Sequence, residues 1–131
     1  MKLSHIGVWT NDLEGLKNFY VTYFGGKTRE KYVNPVKKFE SYFIDFEGNG
    51  SVNLEIMKLA TTLESGQNQT GEMNGFAHIA FSVGSKEQVD LLTERLALDG
   101  YVIVSKPRTT GDGYYESCIL DPDRNHIEIT I

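Results

Sequence analysis

The chain has 131 residues, 40% of them hydrophobic and 24% charged, which is enough for one globular domain with a sizeable core. Its formal net charge is −5 and its basic residues are scattered, which argues against a nucleic-acid partner. No apolar run approaches the roughly 20 residues of a membrane helix, and no signal peptide is expected from the N-terminal pattern. The one cysteine, Cys118, cannot form an internal disulfide. These features predict a cytoplasmic protein with no membrane partner.

The first half of the chain predicts the element order β-α-β-β-β. Residues 3–9 alternate like a half-buried strand, and Asn11 or Asp12 can cap a helix that Gly25-Gly26 ends. Further strands are expected at about residues 27–32, 39–46 and 52–57. A turn is expected at Gly48-Asn49-Gly50, between the last two. The helix has one apolar stripe, formed by Leu13, Leu16, Phe19, Tyr20 and Tyr23.

The second half predicts the same order again. A strand is expected at 76–83, followed by a helix with a Ser85/Gln88 capping box that Gly100 closes. The apolar stripe of this helix consists of Val89, Leu92 and Leu96. Strands are then expected near 101–104, 114–120 and 126–131, with a turn at 121–123. The polar segment 58–74 separates the copies. We therefore expect a single domain over 1–131, with module 1 at about 1–58 and module 2 at about 75–131.

One offset of 73 residues relates four polar residues in the two copies. It carries His5 onto His78 and Glu55 onto Glu128, so each histidine lies 50 residues before its glutamate. Strand alternation puts all four opposite the apolar face that the helices must cover. Pairing of the first and last strands of each copy would set each His beside its Glu. Two imidazoles and two carboxylates predict a divalent metal site, with Ni, Co, Zn, Mn or Fe preferred over Mg or Ca.

Other polar and aromatic residues have both structural and functional interpretations. His126 has no partner in the first copy, and we interpret it as a pocket or surface residue. Cys118 is interpreted as a packed strand residue rather than a nucleophile, because no cationic neighbour is visible to lower its pKa. A basic loop over 105–113 either covers an anionic substrate or is solvated. The candidate substrate-binding residues are Trp9, Arg108, Tyr115 and Glu116.

These residues resemble the vicinal-oxygen-chelate superfamily, which includes glyoxalase I, bleomycin-resistance proteins, fosfomycin-resistance transferases and extradiol dioxygenases. The resemblance runs from His5-Ile6 to the closing stretch of residues 121–128, DPDRNHIE, which is similar to the family's DPDGN-x-(I/L)-E signature with Arg124 in place of glycine. It implies an α+β fold of two tandem βαβββ modules, forming a half-open mixed β-barrel around a metal, with the helices outside. The glyoxalase I ligand positions fall on His5, Glu55, His78 and Glu128.

The resemblance implies a lyase or isomerase that stabilises the enediolate of a small substrate with two neighbouring oxygens. In glyoxalase I-like enzymes the second-module glutamate is the base, which maps onto Glu128. Trp9 stands where glutathione-using glyoxalases tend to carry arginine, and Met57-Lys58-Leu59 lacks their asparagine. A glutathione hemithioacetal is therefore not the expected substrate.

Several alternatives belong to other functional classes. They are a non-haem iron dioxygenase using His5, His78 and Glu128, a fosfomycin-type thiol transferase, and a small-molecule or drug-binding resistance module. Glu55 fits the first two poorly because it fills a position they leave open, and the quartet is not expected in a metal-free binding module. We also expect a two-fold homodimer, because half-open sheets leave edge strands that a partner can cover.

Overall fold

The computed structural model describes residues 4–47, 52–60, 77–111 and 113–131. The chain divides into two compact units, residues 1–69 and 70–131. In its described part, each unit contains one helix and one mixed sheet. The predicted α+β class and the repeated strand–helix–strands order are thereby confirmed. The assignment of one domain to the whole chain stays a prediction.

The first unit is built around a parallel pair of strands. Strand β1 (His5–Trp9) lies parallel to β5 (Asn53–Leu59), and β5 lies antiparallel to β4 (Phe39–Asp45). The remaining strands, β2 (Lys27–Thr28) and β3 (Tyr32–Asn34), both pair antiparallel with β4. The sheet order is β1-β5-β4-β2, with β3 beside β4. Since β1 and β5 are neighbours, residues from the two ends of this unit share one surface.

Helix α1 (Leu13–Phe24) begins and ends as the sequence predicts. The Asp12 side chain accepts a hydrogen bond from the Gly15 amide at 3.0 Å. Gly25 takes the left-handed conformation, with φ 65°, that a residue without a Cβ adopts most easily. The buried side of the helix packs on β4 and β5. The core residues of this unit are Leu13, Leu16, Phe19, Tyr20, Ile44, Leu54 and Ile56.

The predicted strand at 27–32 is wrong in one respect, because two short strands replace it. Thr28 pairs with Ile44, but Tyr32 pairs with Ser41, so the register on β4 shifts by one residue between them. An extra residue on the outer strand bends it and interrupts the ladder, as in a β-bulge. The predicted turn at 48–50 lies outside the described residues. Lys58 and Leu59, which the sequence analysis assigned to the polar segment at 58–74, belong to β5.

The second unit repeats the parallel pair. Strand β6 (Ile79–Ser82) lies parallel to β9 (His126–Thr130), with β8 (Tyr115–Leu120) antiparallel to β9 and β7 (Ile103–Thr109) at the far edge. The order is β6-β9-β8-β7. The strand predicted at 101–104 is too short. Pairing with β8 continues to Thr109 through two register shifts, so Lys106 and Arg108 lie on a strand rather than in the predicted loop.

Helix α2 (Lys86–Leu98) packs on β7, β8 and β9. The Ser85 hydroxyl accepts from the Gln88 amide at 3.2 Å, which confirms the capping residue. Of the predicted stripe, Val89 and Leu96 are fully buried, whereas Leu92 is half-buried and Thr93 takes the core position. The Thr93 hydroxyl is satisfied there by the Val89 carbonyl and the Ser117 hydroxyl, each at 2.6 Å. Neither helix of the described residues has the length and apolarity needed to span a membrane.

The turn at 121–123 is confirmed, and a buried carboxylate organises it. Asp121 Oδ1 accepts from the amides of Asp123 at 3.0 Å and Asn125 at 2.8 Å, and Asp121 Oδ2 accepts from the Asn125 side chain at 2.9 Å. Arg124 has φ 67°, in the left-handed region. A positive φ is unfavourable for a residue with a Cβ, which is a physical reason for glycine at this place in the family signature.

Candidate metal centre

The first His–Glu pair lies on the exposed face of the β1–β5 ladder. His5 Nε2 is 3.7 Å from Glu55 Oε2, and the His5 ring is about half exposed. The other ring nitrogen, Nδ1, is 3.3 Å from the Ser4 hydroxyl. A proton on Nδ1 would leave the lone pair of Nε2 directed toward the side of Glu55. This geometry agrees with the expectation that pairing of the first and last strands of the copy sets His5 beside Glu55.

The second pair repeats the first. His78 precedes β6 by one residue, and its Nε2 is 3.2 Å from Glu128 Oε2 on β9. The exposed fractions also match closely, at 44% for both histidine side chains, 17% for Glu55 and 23% for Glu128. Polar side chains that are this accessible, repeated on equivalent strands, are poorly explained by packing alone. The 73-residue offset therefore relates two local geometries as well as two sequence patterns.

The spacing within the second pair fits two ligands of one metal ion, and that within the first pair is slightly longer. Protein nitrogen and oxygen ligands bind divalent metals at about 2.1 Å, which puts neighbouring donors about 3.0 Å apart in an octahedron and about 3.4 Å apart in a tetrahedron. The observed separations are 3.7 Å and 3.2 Å. Within either unit, the described residues include no group of three or more His, Cys, Asp and Glu side chains that could hold a metal. Each unit thus supplies two candidate ligands.

Aromatic side chains share the sheet face that carries the first pair. Phe43 is the cross-strand partner of Glu55, and its ring meets the His5 ring edge-on at 5.4 Å between centroids. Trp9 lies on the same face two positions beyond Gly7, and meets the Phe39 ring edge-on at 6.2 Å. Trp9 is 49% exposed, which is unusual for a tryptophan that only packs. The involvement of Trp9 in substrate binding stays a prediction.

Polar side chains surround the second pair. Cys118 is the cross-strand partner of Glu128, and Glu116 lies two residues along the same strand face. Arg108 on β7 pairs with Glu116, with Arg108 Nη1 at 3.4 Å from Glu116 Oε1. His126 shares the face, and its Nδ1 lies 3.8 Å from Cys118 Sγ. The structure thus groups Arg108 and Glu116 on the face that carries Glu128.

Tyr115 has a different orientation. Its hydroxyl donates to Asp90 on α2 at 2.7 Å, which places the side chain on the helix side of the sheet. The hydrogen bond to this carboxylate raises the pKa of Tyr115. Tyr42 makes the equivalent contact in the first unit, donating to Glu14 on α1 at 3.0 Å. This repeated contact joins sheet to helix and lends no support to a role of Tyr115 in substrate binding, which stays a prediction.

Cys118 is half-buried, and burial is the main cause that raises its pKa. The carboxylates of Glu128 and Glu116 raise it further, and the more weakly acting Arg108 lowers it. A thiol in this environment stays protonated at neutral pH and is a poor nucleophile. The interpretation of Cys118 as a packed strand residue agrees with these surroundings.

The sequence analysis did not predict three residues that lie near the first His–Glu pair or on the same sheet face. Ser4 beside the His5 ring, Met57 over Gly7, and Phe39 beside Trp9 were not among the candidates. Strand alternation could have found Phe39, because it is four residues from Phe43 on the same face of β4. The position of Met57 depends on the β1–β5 register, which sequence alone does not give.

Each unit is a mixed sheet with one covering helix and one strand-borne His–Glu pair, and this arrangement defines an α+β protein of duplicated βαβββ modules. The chain belongs to the Glyoxalase/Bleomycin resistance protein/Dioxygenase superfamily, whose family model matches residues 2–129. One relative, "Uncharacterized protein YqjT" from Bacillus subtilis (strain 168), is 41% identical over 58 aligned residues. That alignment covers 42% of this chain and 45% of the relative, so it spans less than half of that protein.

Solved structures support the same fold. Glyoxalase I from Zea mays is similar over 98% of this chain with a TM-score of 0.77 and 23% identity, and the match covers 44% of the maize chain. A glyoxalase family protein from Enterococcus faecalis is similar over 99% of this chain and 97% of its own, with a TM-score of 0.77 and 23% identity. At these identities, the likeness shows the fold alone.

Proposed function

We propose that this protein is a metal-dependent lyase or isomerase acting on a small substrate with two neighbouring oxygen atoms. His5, Glu55, His78 and Glu128 are the proposed protein ligands of one divalent ion. The proposal rests mainly on the repeated pair, in which a histidine Nε2 lies 3.7 Å or 3.2 Å from a glutamate Oε2 on the adjacent parallel strand. Membership of the glyoxalase superfamily supports it, because divalent metals are common among glyoxalase I enzymes.

The donor set favours Ni, Co, Zn, Mn or Fe, since imidazole and carboxylate together suit these ions better than Mg or Ca. A divalent metal bound by these groups would supply Lewis-acid stabilisation of negative charge developing on the two substrate oxygens. The two glutamates balance the charge of the ion. The two neutral imidazoles supply the nitrogen donors.

Glu128 is the proposed general base. It takes the carbon-bound proton of the substrate and returns it to the neighbouring carbon in an isomerisation, while the hydroxyl proton passes from one substrate oxygen to the other. Its side chain is 23% exposed, so the carboxylate is within reach of a small molecule. Cys118 across the strand does not compete for this role, because burial and the nearby carboxylates keep its thiol protonated.

The proposed substrate lacks a glutathionyl group. Trp9 provides an aromatic surface beside the first pair, where an arginine would bind a peptide carboxylate. On the second face, Arg108 is already paired with Glu116, which lowers the net positive charge offered to a polyanion. We also propose a two-fold homodimer located in the cytoplasm. Among the described residues, β1 and β6 each stand at the end of their own sheet, and an edge strand has backbone groups with which a second copy can pair.

Hydrogen exchange tests the chemistry without knowledge of the product. Protein loaded separately with each of the five metals is incubated with hydroxyacetone in deuterium oxide, and proton NMR follows loss of the carbon-bound hydrogen. We expect exchange with at least one metal, and a loss of about 10² to 10⁴-fold in Glu128→Gln that still binds the metal. Glu55→Gln is the matched control, with a smaller loss.

Full exchange by metal-loaded Glu128→Gln would contradict its role as base. Absence of exchange with all five metals, for hydroxyacetone and for a wider panel of hydroxyketones, would contradict the reaction class. A parallel assay with methylglyoxal and glutathione addresses the substrate. Rapid formation of lactoylglutathione there would show that the exclusion of glutathione is wrong.

A further inference from the structure

The first unit carries an exposed aromatic surface on the same face as Glu55. Trp9, Phe39 and Tyr32 form a row of rings, with centroids 6.2 Å apart for Trp9 and Phe39 and 6.0 Å apart for Tyr32 and Phe39. Trp9 is 49% exposed and Tyr32 is 55% exposed. Two exposed rings, each in contact with the partly buried Phe39 ring, are more than an isolated exposed hydrophobic residue.

The surface is continuous with the first His–Glu pair. Trp9 is in register with Met57, and Gly7 is in register with Glu55, so the rings begin two residues along the strand from the carboxylate. Two strand residues span about 7 Å. A substituent attached directly to the carbon that bears the reacting oxygens can cover that distance if it is the size of a phenyl ring.

Met57 fills the interval between the carboxylate and the rings. A Cβ added at Gly7 would lie 2.8 Å from Met57 Cε, so the thioether chain runs directly over the glycine. Flexible, polarizable methionine side chains adapt to the shape of apolar partners and pack well against aromatic edges. Along the face from Glu55 toward Trp9, the carboxylate is therefore followed by the Met57 thioether and then by the aromatic rings. Neither the thioether nor the rings carry charge.

We propose that Trp9, Phe39, Tyr32 and Met57 form a subsite for an aromatic substituent of the substrate. The inference rests on the proposed function, since the oxygen-bearing head group is placed at the His–Glu pairs. It assigns the substrate to the class of small aryl-substituted compounds with vicinal oxygens, such as aryl hydroxyketones. Edge-on ring contacts and apolar burial supply the recognition.

A pair of hydroxamates separates the head group from the substituent. Acetohydroxamate and benzohydroxamate present the same two neighbouring oxygens and differ in methyl against phenyl. Binding to the zinc-loaded 131-residue chain is measured by calorimetry, and by the fluorescence of Trp9, the single tryptophan. We expect benzohydroxamate to bind at least about tenfold more tightly, because phenyl buries more apolar surface than methyl.

Variants locate the preference. Trp9→Ala and Phe39→Ala should each lower the ratio of the two affinities to about twofold or less, with acetohydroxamate affinity unchanged. Trp9→Phe should keep most of the ratio, because it retains a ring. Leu98→Ala is the matched control, since it removes an 81% exposed apolar side chain from α2. It should leave both affinities as they are.

Each contrary result has its own meaning. Metal-dependent binding of acetohydroxamate without a preference for benzohydroxamate would overturn this inference and leave the proposed function standing. No metal-dependent binding of either hydroxamate would overturn both. If Trp9→Ala converted a dimer to a monomer in light scattering while the affinity ratio stayed unchanged, the rings would belong to an interface between two copies, and the inference would be wrong.

Discussion

The two units share one scaffold but differ in what surrounds the His–Glu pair. In both, the pair joins the first strand region to the last strand, and a helix covers the opposite face. Across the strand from the glutamate, however, the first unit has Phe43 and the second has Cys118. The first face continues into aromatic rings, and the second into the Arg108–Glu116 ion pair. The comparison indicates that duplication preserved the His–Glu pair while the residues around it diverged.

Because the two units share one scaffold, we expect substitutions at equivalent buried positions to lower the free energy of unfolding by similar amounts. Ile56 and Ile129 are related by the 73-residue offset, and both are fully buried beneath the helix of their unit. We expect Ile56→Ala and Ile129→Ala each to lower the free energy of unfolding by about 2 to 5 kcal/mol, measured by urea denaturation. Val36→Ala, at a side chain that is 92% exposed, should change it by less than about 0.5 kcal/mol. A difference above about 2 kcal/mol between the two isoleucine variants would break the equivalence of the units.

At the turn that precedes Glu128, we expect a substitution to give a smaller change in stability, and a gain rather than a loss. Arg124 has φ 67°, and glycine adopts this conformation without a Cβ clash. Arg124→Gly should raise the thermal midpoint, with a gain in stability of up to about 1 kcal/mol after the extra chain entropy of glycine is subtracted. Lys38→Gly, at φ 51° in the first unit, is the matched comparison and should behave alike. A loss of stability in both variants would show that these side chains contribute more than the backbone strain costs.

The smallest effect on stability is expected at Gly7, where the first unit differs from the second. Gly7 corresponds to Ala80 in the second unit, and the Met57 side chain runs over Gly7 in the first unit. Gly7→Ala displaces the flexible end of a methionine rather than backbone, so we expect a change in unfolding free energy below about 1 kcal/mol. Displacement of Met57 should still lower the benzohydroxamate preference at least about threefold. An unchanged preference would exclude Met57 from the aromatic subsite.

Sequence reasoning predicted the parts of the molecule that local chemistry determines. Helix caps at Asp12 and Ser85, the turn at Asp121, and the strands that bear His5 and Glu128 each depend on short-range patterns, and all are found. Strand alternation placed the four polar residues on the face away from the core, and the sequence analysis expected pairing of the first and last strands to set each His beside its Glu. The parallel orientation of that pairing comes from the structure. Much of the fold is thus encoded in periodicity and in the repeat.

The parts that failed depend on register. The split of the strand at 27–32 follows from a one-residue shift against β4, and the length of β7 follows from pairing that tolerates two irregularities. Tyr115 is adjacent to Glu116, but neighbours on a strand point to opposite faces, and the Tyr115 hydroxyl donates to Asp90 on the helix side. Its role in substrate binding stays a prediction. Strand register decides the extents of β2, β3 and β7, and no local sequence pattern predicts that register.

Metal content of the purified chain tests the central claim most directly. The protein is prepared without chelators or nickel-affinity resin and measured by inductively coupled plasma mass spectrometry, beside a His5→Ala/His78→Ala variant whose folding is verified by circular dichroism. The account predicts about one equivalent of Ni, Co, Zn, Mn or Fe per wild-type chain and essentially none in the double variant. Full metal retention by the folded double variant would contradict the site.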